Sequence, residues 1–236
     1  MEPVSNRTID EGYIKYRCQW IKEDIVATQS VAELTAYRNA LYRLNFIGEY
    51  SNGIGFGNLS QRVPMPAYAP LSAAASPHFV ITGTQTGHLP TLTAADYSLV
   101  TDFAPQQNAL ICKGLRKASS ESLTHGVIYA SQLGIHAIIH IHSPQLWKRL
   151  LNQVPTTRAE VPYGTPEMAA ETQRLLQQSP LPQQKILAMA GHEDGIVAFG
   201  ESLQMAYRVL INACLMTGFM TQSESADALQ FPYQQA

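Results

Sequence analysis

Residues 137–147 read AIIHIHSPQLW. The apolar, β-branched run predicts a buried strand. Successive side chains of a strand point to opposite faces, so His140 and His142 share one face and Ile139 and Ile141 the other. Residues i and i+2 lie roughly 7 Å apart at Cα, close enough for two neutral imidazoles to converge on one cation. A lone histidine on a buried strand is ordinarily a hydrogen-bonded core residue. A pair at this spacing points to metal ligation instead.

A catalytic zinc-type site takes three protein ligands and keeps a position open. His192, in MAGHEDGIVAFG (189–200), sits where a strand ends in a tight turn. Its flanking Gly191 and Gly195 allow close backbone approach. His125 and His136 compete for the third place, and His125 is read as helical core or support. His78 and His88 fall in loop-like sequence and read as solvent-exposed. Cupins and amidohydrolase barrels also use a His-x-His pair. A cupin needs a Glu a few residues later, where SPQLW stands, and an amidohydrolase carries the pair near the start of a longer chain.

Two further stretches suit an anion. KASSESLTH (117–125) sets Ser119 and Ser120 ahead of Glu121 where a helix begins, so hydroxyls and backbone N–H groups gather at its positive end. An ordinary N-cap with an acidic first turn reads the same way. GFGNLSQR (55–62) is a glycine turn followed by Asn58. It is not the G-x-G-x-x-G of a dinucleotide site and lacks the strand–helix context.

The 236 residues are 45% apolar and 14% charged with a net charge near −2. The absence of a Lys/Arg cluster argues against a nucleic-acid partner and against an electrostatic membrane site. No run approaches the roughly 20 apolar residues of a spanning helix. The first twenty residues carry charges throughout, unlike a signal peptide. Cys18, Cys112 and Cys214 are scattered and odd in number, which reads as reduced thiols of a cytoplasmic protein. A helix is expected over 31–48, with Ser30 and Glu33 as a capping box. Further helices are expected over 119–132, 143–151, 165–178 and 202–220, and strands at 78–83 and 134–142. A strand–turn–strand is expected over 185–200, and 64–77 reads as a Pro/Ala/Ser loop. Helices and strands mix without strict alternation, giving a layered α/β or α+β domain with a mixed or antiparallel sheet.

In order, GFGNLSQR, FVITGTQTG (79–87), ASSESLTHGVIY, AIIHIHS and MAGHEDGIVAFG resemble the class II aldolase/adducin family, over about residues 55–205. That resemblance implies one α/β/α domain around a mostly antiparallel sheet. Residues 1–28 would be an N-terminal extension and 222–236 a C-terminal tail. It also implies a homotetramer with active sites between subunits, acting on a small anionic sugar-like substrate. His140, His142 and His192 match the zinc ligands. Mn²⁺ or Co²⁺ is an alternative metal. Glu121 matches the general acid/base, which also binds the free metal. Gly57 with Asn58, Thr86 with Gly87, and Ser119 with Ser120 match the three phosphate-binding turns. Thr82 or Thr84 is an alternative to the second. In TTRAEVPYGTPEM (156–168), Glu160 and Tyr163 are candidates for a catalytic residue reaching into a neighbour's site. The implied activity is aldol cleavage of a sugar phosphate through an enediolate. Epimerase, dehydratase or decarboxylase chemistry, or a non-catalytic adducin-like interaction domain, are the alternatives.

Overall fold

The computed structural model describes residues 13–63, 76–131 and 134–230. Most of the expected 64–77 loop, and Tyr233 of the C-terminal stretch, lie outside them. The elements run β1 (Arg17–Ile21), α1 (Thr28–Arg43), β2 (Gly48–Glu49), β3 (Gly55–Phe56), β4 (Asn58–Arg62) and β5 (Phe79–Thr82). There follow β6 (Tyr97–Ala104), β7 (Ala109–Lys113), α2 (Ser122–Ala130), β8 (Ala137–His142), α3 (Pro144–Leu150) and α4 (Pro166–Gln178). The last are α5 (Leu181–Gln184), β9 (Ile186–Ala188), β10 (Gly195–Gly200), α6 (Leu203–Met216) and α7 (Gln222–Gln230).

Eight strands form one sheet in the order β1-β7-β6-β5-β4-β8-β10-β9. Every pairing is antiparallel except β1 with β7, which is parallel. Each face buries a separate apolar cluster. Leu59, Val80, Ile139, Ile141, Ile196 and Ala198 pack with α1 and α6. Phe79, Ile81, Ile138, Val197 and Phe199 pack with α2 and α4. This is the expected α/β/α layering around a mostly antiparallel sheet. The alternation in β8 is as read: its isoleucines at 139 and 141 feed the first layer, so its histidines belong to the second.

Several local expectations change. The first helix starts at Thr28 and stops at Arg43, because Asn45 adopts a left-handed φ of 56° and turns the chain so that Phe46 and Ile47 enter the core. Ser30 does not cap it; its Oγ donates to the Ala27 carbonyl from inside the first turn. Residues 17–21, expected as part of an extension, are an edge strand of the main sheet. Part of the expected C-terminal tail is the helix α7, which packs against α6. The thiols, scattered in sequence, are not all apart in space: Cys18 and Cys112 lie 3.3 Å apart at Sγ across β1 and β7. Ser143 and Thr165 do cap α3 and α4, accepting from the Leu146 and Met168 amides.

Residues 156–163 are fastened to the sheet and to α4. Thr157 donates its amide to the Ala188 carbonyl, and its hydroxyl accepts from the Ala190 amide. Glu171, fully buried on α4, accepts from Arg174, from the Arg158 amide and from the Arg158 guanidinium. These bonds, the Arg174 pair foremost, hold its carboxyl down at about 2 from the usual 4.5. A depressed carboxyl stabilises the fold above its unfolded value and loses that contribution as pH falls through its folded value. Glu171→Gln should therefore cost about 1–3 kcal/mol near pH 7, since the arginines stay half-exposed. In thermal melts across pH, its deficit against the parent chain should shrink as pH falls from 4.5 towards 2.

Candidate metal and anion site

Antiparallel register sets the centre of the site. Within the sheet, β8 lies between β4 and β10, pairing His140 with Asn58 on one side and Val197 on the other. His142 pairs with Gly195, at the end of the turn that carries His192. The His140, His142 and His192 side chains are all at least 97% buried, and their ligand atoms lie within 4.8 Å of one another. Among the described residues this is the group of histidine, cysteine and acidic side chains fit to hold a metal ion.

The ring orientations are set from behind. His140 Nδ1 lies 3.2 Å from the Ile196 carbonyl, which can only accept, so this nitrogen carries the proton and Nε2 does not. His142 Nδ1 is 2.8 Å from the Tyr50 hydroxyl. The two Nε2 atoms face each other at 3.0 Å. Two ligand nitrogens of one tetrahedral zinc would stand about 3.3 Å apart, from bonds of about 2.0 Å. Burial, then the neighbouring His192, drives the His142 pKa well below the ordinary imidazole value. Neutral imidazoles with inward-facing lone pairs suit a cation, and the donor set fits a metal.

Glu121 is 99% buried at the N-cap of α2. Thr124 Oγ1 donates to its Oε2, and Oε1 lies 3.8 Å from His192 Nδ1. The ring of Tyr163 stacks on His192 at 4.3 Å and 20°. Tyr163 thus lines the site of its own chain. Glu160 is exposed and is not gathered with the histidines.

The three glycine, threonine and serine turns meet beside this centre. Gly57 has φ of 78°, and a β-carbon there would sit 2.7 Å from Ile47. Asn58 is 95% buried, and its Oδ1 has no hydrogen-bond partner among the described residues. A buried acceptor of this kind, next to His140 in the sheet, can take a further partner. Gly87 packs so tightly on β2 and β3 that a β-carbon would fall 2.2 Å from the Gly48 carbonyl oxygen. The 83–87 loop is joined to the serine turn through the Gly83–Ala118 bridge and the Thr84 amide, which donates to the Lys117 carbonyl. Thr86, Ser119 and Ser120 are buried. Thr82 is instead committed to the sheet, its Oγ1 accepting from the Leu59 amide. His125 is core, as one reading had it. It is fully buried, its Nδ1 lies 2.7 Å from Ser60 Oγ, and burial pushes its pKa down to about 3. His88 and His136 are exposed.

Sequence reasoning missed Tyr50, which orients His142, and Arg38. The Arg38 guanidinium, 99% buried, donates to the carbonyls of Thr86 and Gly87 at 3.0 and 2.9 Å. Helical periodicity does place position 38 on the inward face of α1, four residues after Leu34 and seven after Val31, and that was the available signal for a buried arginine. A cleft of about 400 Å³ opens beside His142, between Tyr50, Phe56, Asp194 and Phe219.

The profile of the family described as "Class II Aldolase and Adducin N-terminal domain" matches residues 39–214, most of the chain. The chain belongs to this family. Its fold is similar to that of YgbL from Klebsiella pneumoniae, with a TM-score of 0.56 and 19% identity over 86% of this chain and 99% of that one. An L-fuculose 1-phosphate aldolase gives a TM-score of 0.56 and 18% identity over 88% and 98%. A sugar-phosphate aldolase from Thermotoga maritima gives the same TM-score and identity over 88% and 97%. No curated protein sequence matches.

The partner behind a ligand histidine fixes its tautomer and typically contributes about 10–100-fold in metal affinity. Tyr50→Phe removes the hydroxyl behind His142 and leaves the ring. It should weaken zinc binding by about tenfold in a chelator-competition titration, and lower the thermal midpoint of the metal-free chain as well, because the buried His142 Nδ1 loses that partner.

Proposed function

We propose that this chain is a zinc-dependent, class II aldehyde-lyase that cleaves an anionic ketose-like substrate by retro-aldol chemistry. The observation that carries this reading is the convergence of His140, His142 and His192 with the buried Glu121 carboxylate beside them. A zinc ion held by the three histidines would supply Lewis-acid stabilisation of the negative charge that develops on the substrate's oxygens as the C–C bond breaks. Mn²⁺ or Co²⁺ would suit the same donors.

The chain's own groups divide the remaining work. Glu121 acts as general acid/base: one oxygen is held by Thr124 and the other is turned towards His192. The same carboxylate would also be available to hold the metal beside the three histidines. Tyr163, against His192, supplies a phenol at the edge of the reacting centre. Gly57, Asn58, Thr86, Gly87, Ser119 and Ser120 grip the anionic end through backbone N–H groups, hydroxyls and the Asn58 amide. Neutral donors of this kind bind phosphate without a basic cluster. Glu160 is assigned a role only in the site of a neighbouring copy, within a cytoplasmic homotetramer.

Epimerase, dehydratase and decarboxylase reactions pass through similar carbanions. Glu121, rather than an aspartate, in the serine turn favours the aldolase reading. A non-catalytic interaction domain would have no use for a complete donor set buried at such cost. L-fuculose 1-phosphate aldolase and the Thermotoga sugar-phosphate aldolase, both similar in fold, agree with a sugar-phosphate substrate.

Elemental analysis of the purified chain should find about one zinc per chain, lost in His140→Ala. Glu121→Gln should keep the metal and lose about 10²–10⁴ in the rate of aldol cleavage across a panel of sugar phosphates. A chain that takes up no stoichiometric metal, even after incubation with zinc, would overturn the lyase reading.

A further inference from the structure

Away from the histidines, the fold brings a second pair of reactive side chains together. Cys18 of β1 and Cys112 of β7 carry free thiols whose Sγ atoms lie 3.3 Å apart. Cys18 precedes the residues that match the family profile, 39–214, so the pair is no part of the matched segment. Cys18 is half-buried on the edge strand, and Cys112 is fully buried in the apolar layer beneath it. A hydrogen bond from Cys18, then the Ala118 amide and the Lys117 charge, draws the Cys112 thiol's pKa down against its burial. The same contact, then burial, pushes that of Cys18 up. One proton is thus shared between two sulfurs, with Cys18 as its holder and Cys112 as the thiolate. Cys214 lies in α6, in the other apolar layer.

Register decides what a bond between them would do. Cys18 stands opposite Leu110 and Trp20 opposite Cys112, so the cysteines are diagonal neighbours. Diagonal Cα atoms of a regular ladder are about 8 Å apart. A disulfide spans about 4.4–6.8 Å. Closing the bond therefore draws β1 along β7, a movement open to a strand at the end of the sheet. β1 in turn holds the segment that leads to Glu121. Trp20 Nε1 donates to the Gly114 carbonyl, the Gly114 amide donates to the Ile21 carbonyl, and the Tyr16 hydroxyl donates to the Ala118 carbonyl. We propose that Cys18 and Cys112 form a reversible dithiol–disulfide site, whose oxidation shifts β1 and loosens its hold on residues 114–119. The oxidant is a small disulfide such as oxidised glutathione. Cys18, the reachable sulfur, attacks it while passing its proton to the Cys112 thiolate, and one glutathione leaves as thiolate. The Cys112 sulfur then attacks that of Cys18, and its proton leaves with the second glutathione. The chain's two sulfurs give up two electrons, and the glutathione disulfide takes them. A disulfide closed under strain is readily reduced again.

The test exposes the reduced full-length chain to oxidised glutathione, then alkylates and digests it without reductant. Mass spectrometry should find the Cys18 and Cys112 peptides joined and two hydrogens lighter, with Cys214 left as a thiol. Excess reduced glutathione should restore both thiols. Cys112→Ser should stop at a mixed disulfide of glutathione on Cys18. In the oxidised parent, hydrogen exchange at the amides of 114–119 should be about fivefold faster than in the reduced chain, the loss of about one hydrogen bond. No bond between Cys18 and Cys112 would overturn the proposal. So would a bond that glutathione does not reduce, or one that leaves exchange at 114–119 unchanged. None of these results depends on bound zinc or on aldol cleavage, so the lyase reading stands or falls separately.

Discussion

Three imidazoles and a carboxylate packed into one small buried volume are the constraint on which the rest of this structure depends. Buried polar groups cost several kcal/mol each when nothing answers them. Here they are answered from behind: Ile196 and Tyr50 hold two of the rings, and Thr124 holds the carboxylate. Those supports come from β10, the turn after β2 and α2. The site therefore exists only when sheet, hairpin and helix are all in place. The two Nε2 atoms, 3.0 Å apart, are close enough for one cation to meet both.

The sheet supplies the precision. Antiparallel pairing of β8 with β4 and β10 places Asn58 and Val197 opposite His140, and a one-residue slip would turn every histidine of β8 into the α1–α6 core. Isoleucines at 139 and 141 make that slip expensive, because it would expose them to the polar side. The residues that hold the register are the ones interleaved with the ligands. The glycines of the anion turns do complementary work. Gly87 lets the 83–87 loop lie on the β2–β3 hairpin, and Arg38 fastens its carbonyls on the far side.

The central part of this arrangement was legible in the sequence because it obeys local periodicity. The alternation in AIIHIH sets the shared face of His140 and His142, and the turn signal HEDG puts His192 at a strand end. Ser143 and Thr165 announce the helices they cap. What stayed hidden depends on contacts far apart along the chain. Ser30 and Glu33 satisfy a capping pattern, yet the helix begins before them, since packing of Val31 and Leu34 carries it further back. Arg38 sits on the inward stripe of α1, but its partners at Thr86 and Gly87, like the His142 partner of Tyr50, lie dozens of residues away. Tyr163 is brought against His192 of its own chain by the path of 156–163 along β9, which no local pattern announces.

Strand β1 depends on a partner far along the chain. β1 pairs with β7 and not with any near neighbour in sequence, and Tyr16 meets Ala118 across 102 residues. Until synthesis has passed the serine turn, the N-terminal segment has no partner edge to join. Contacts of this separation slow folding more than they alter final stability. Because β7 and the serine turn precede β8 and His192 in the chain, this edge of the sheet can close before the three histidines are gathered.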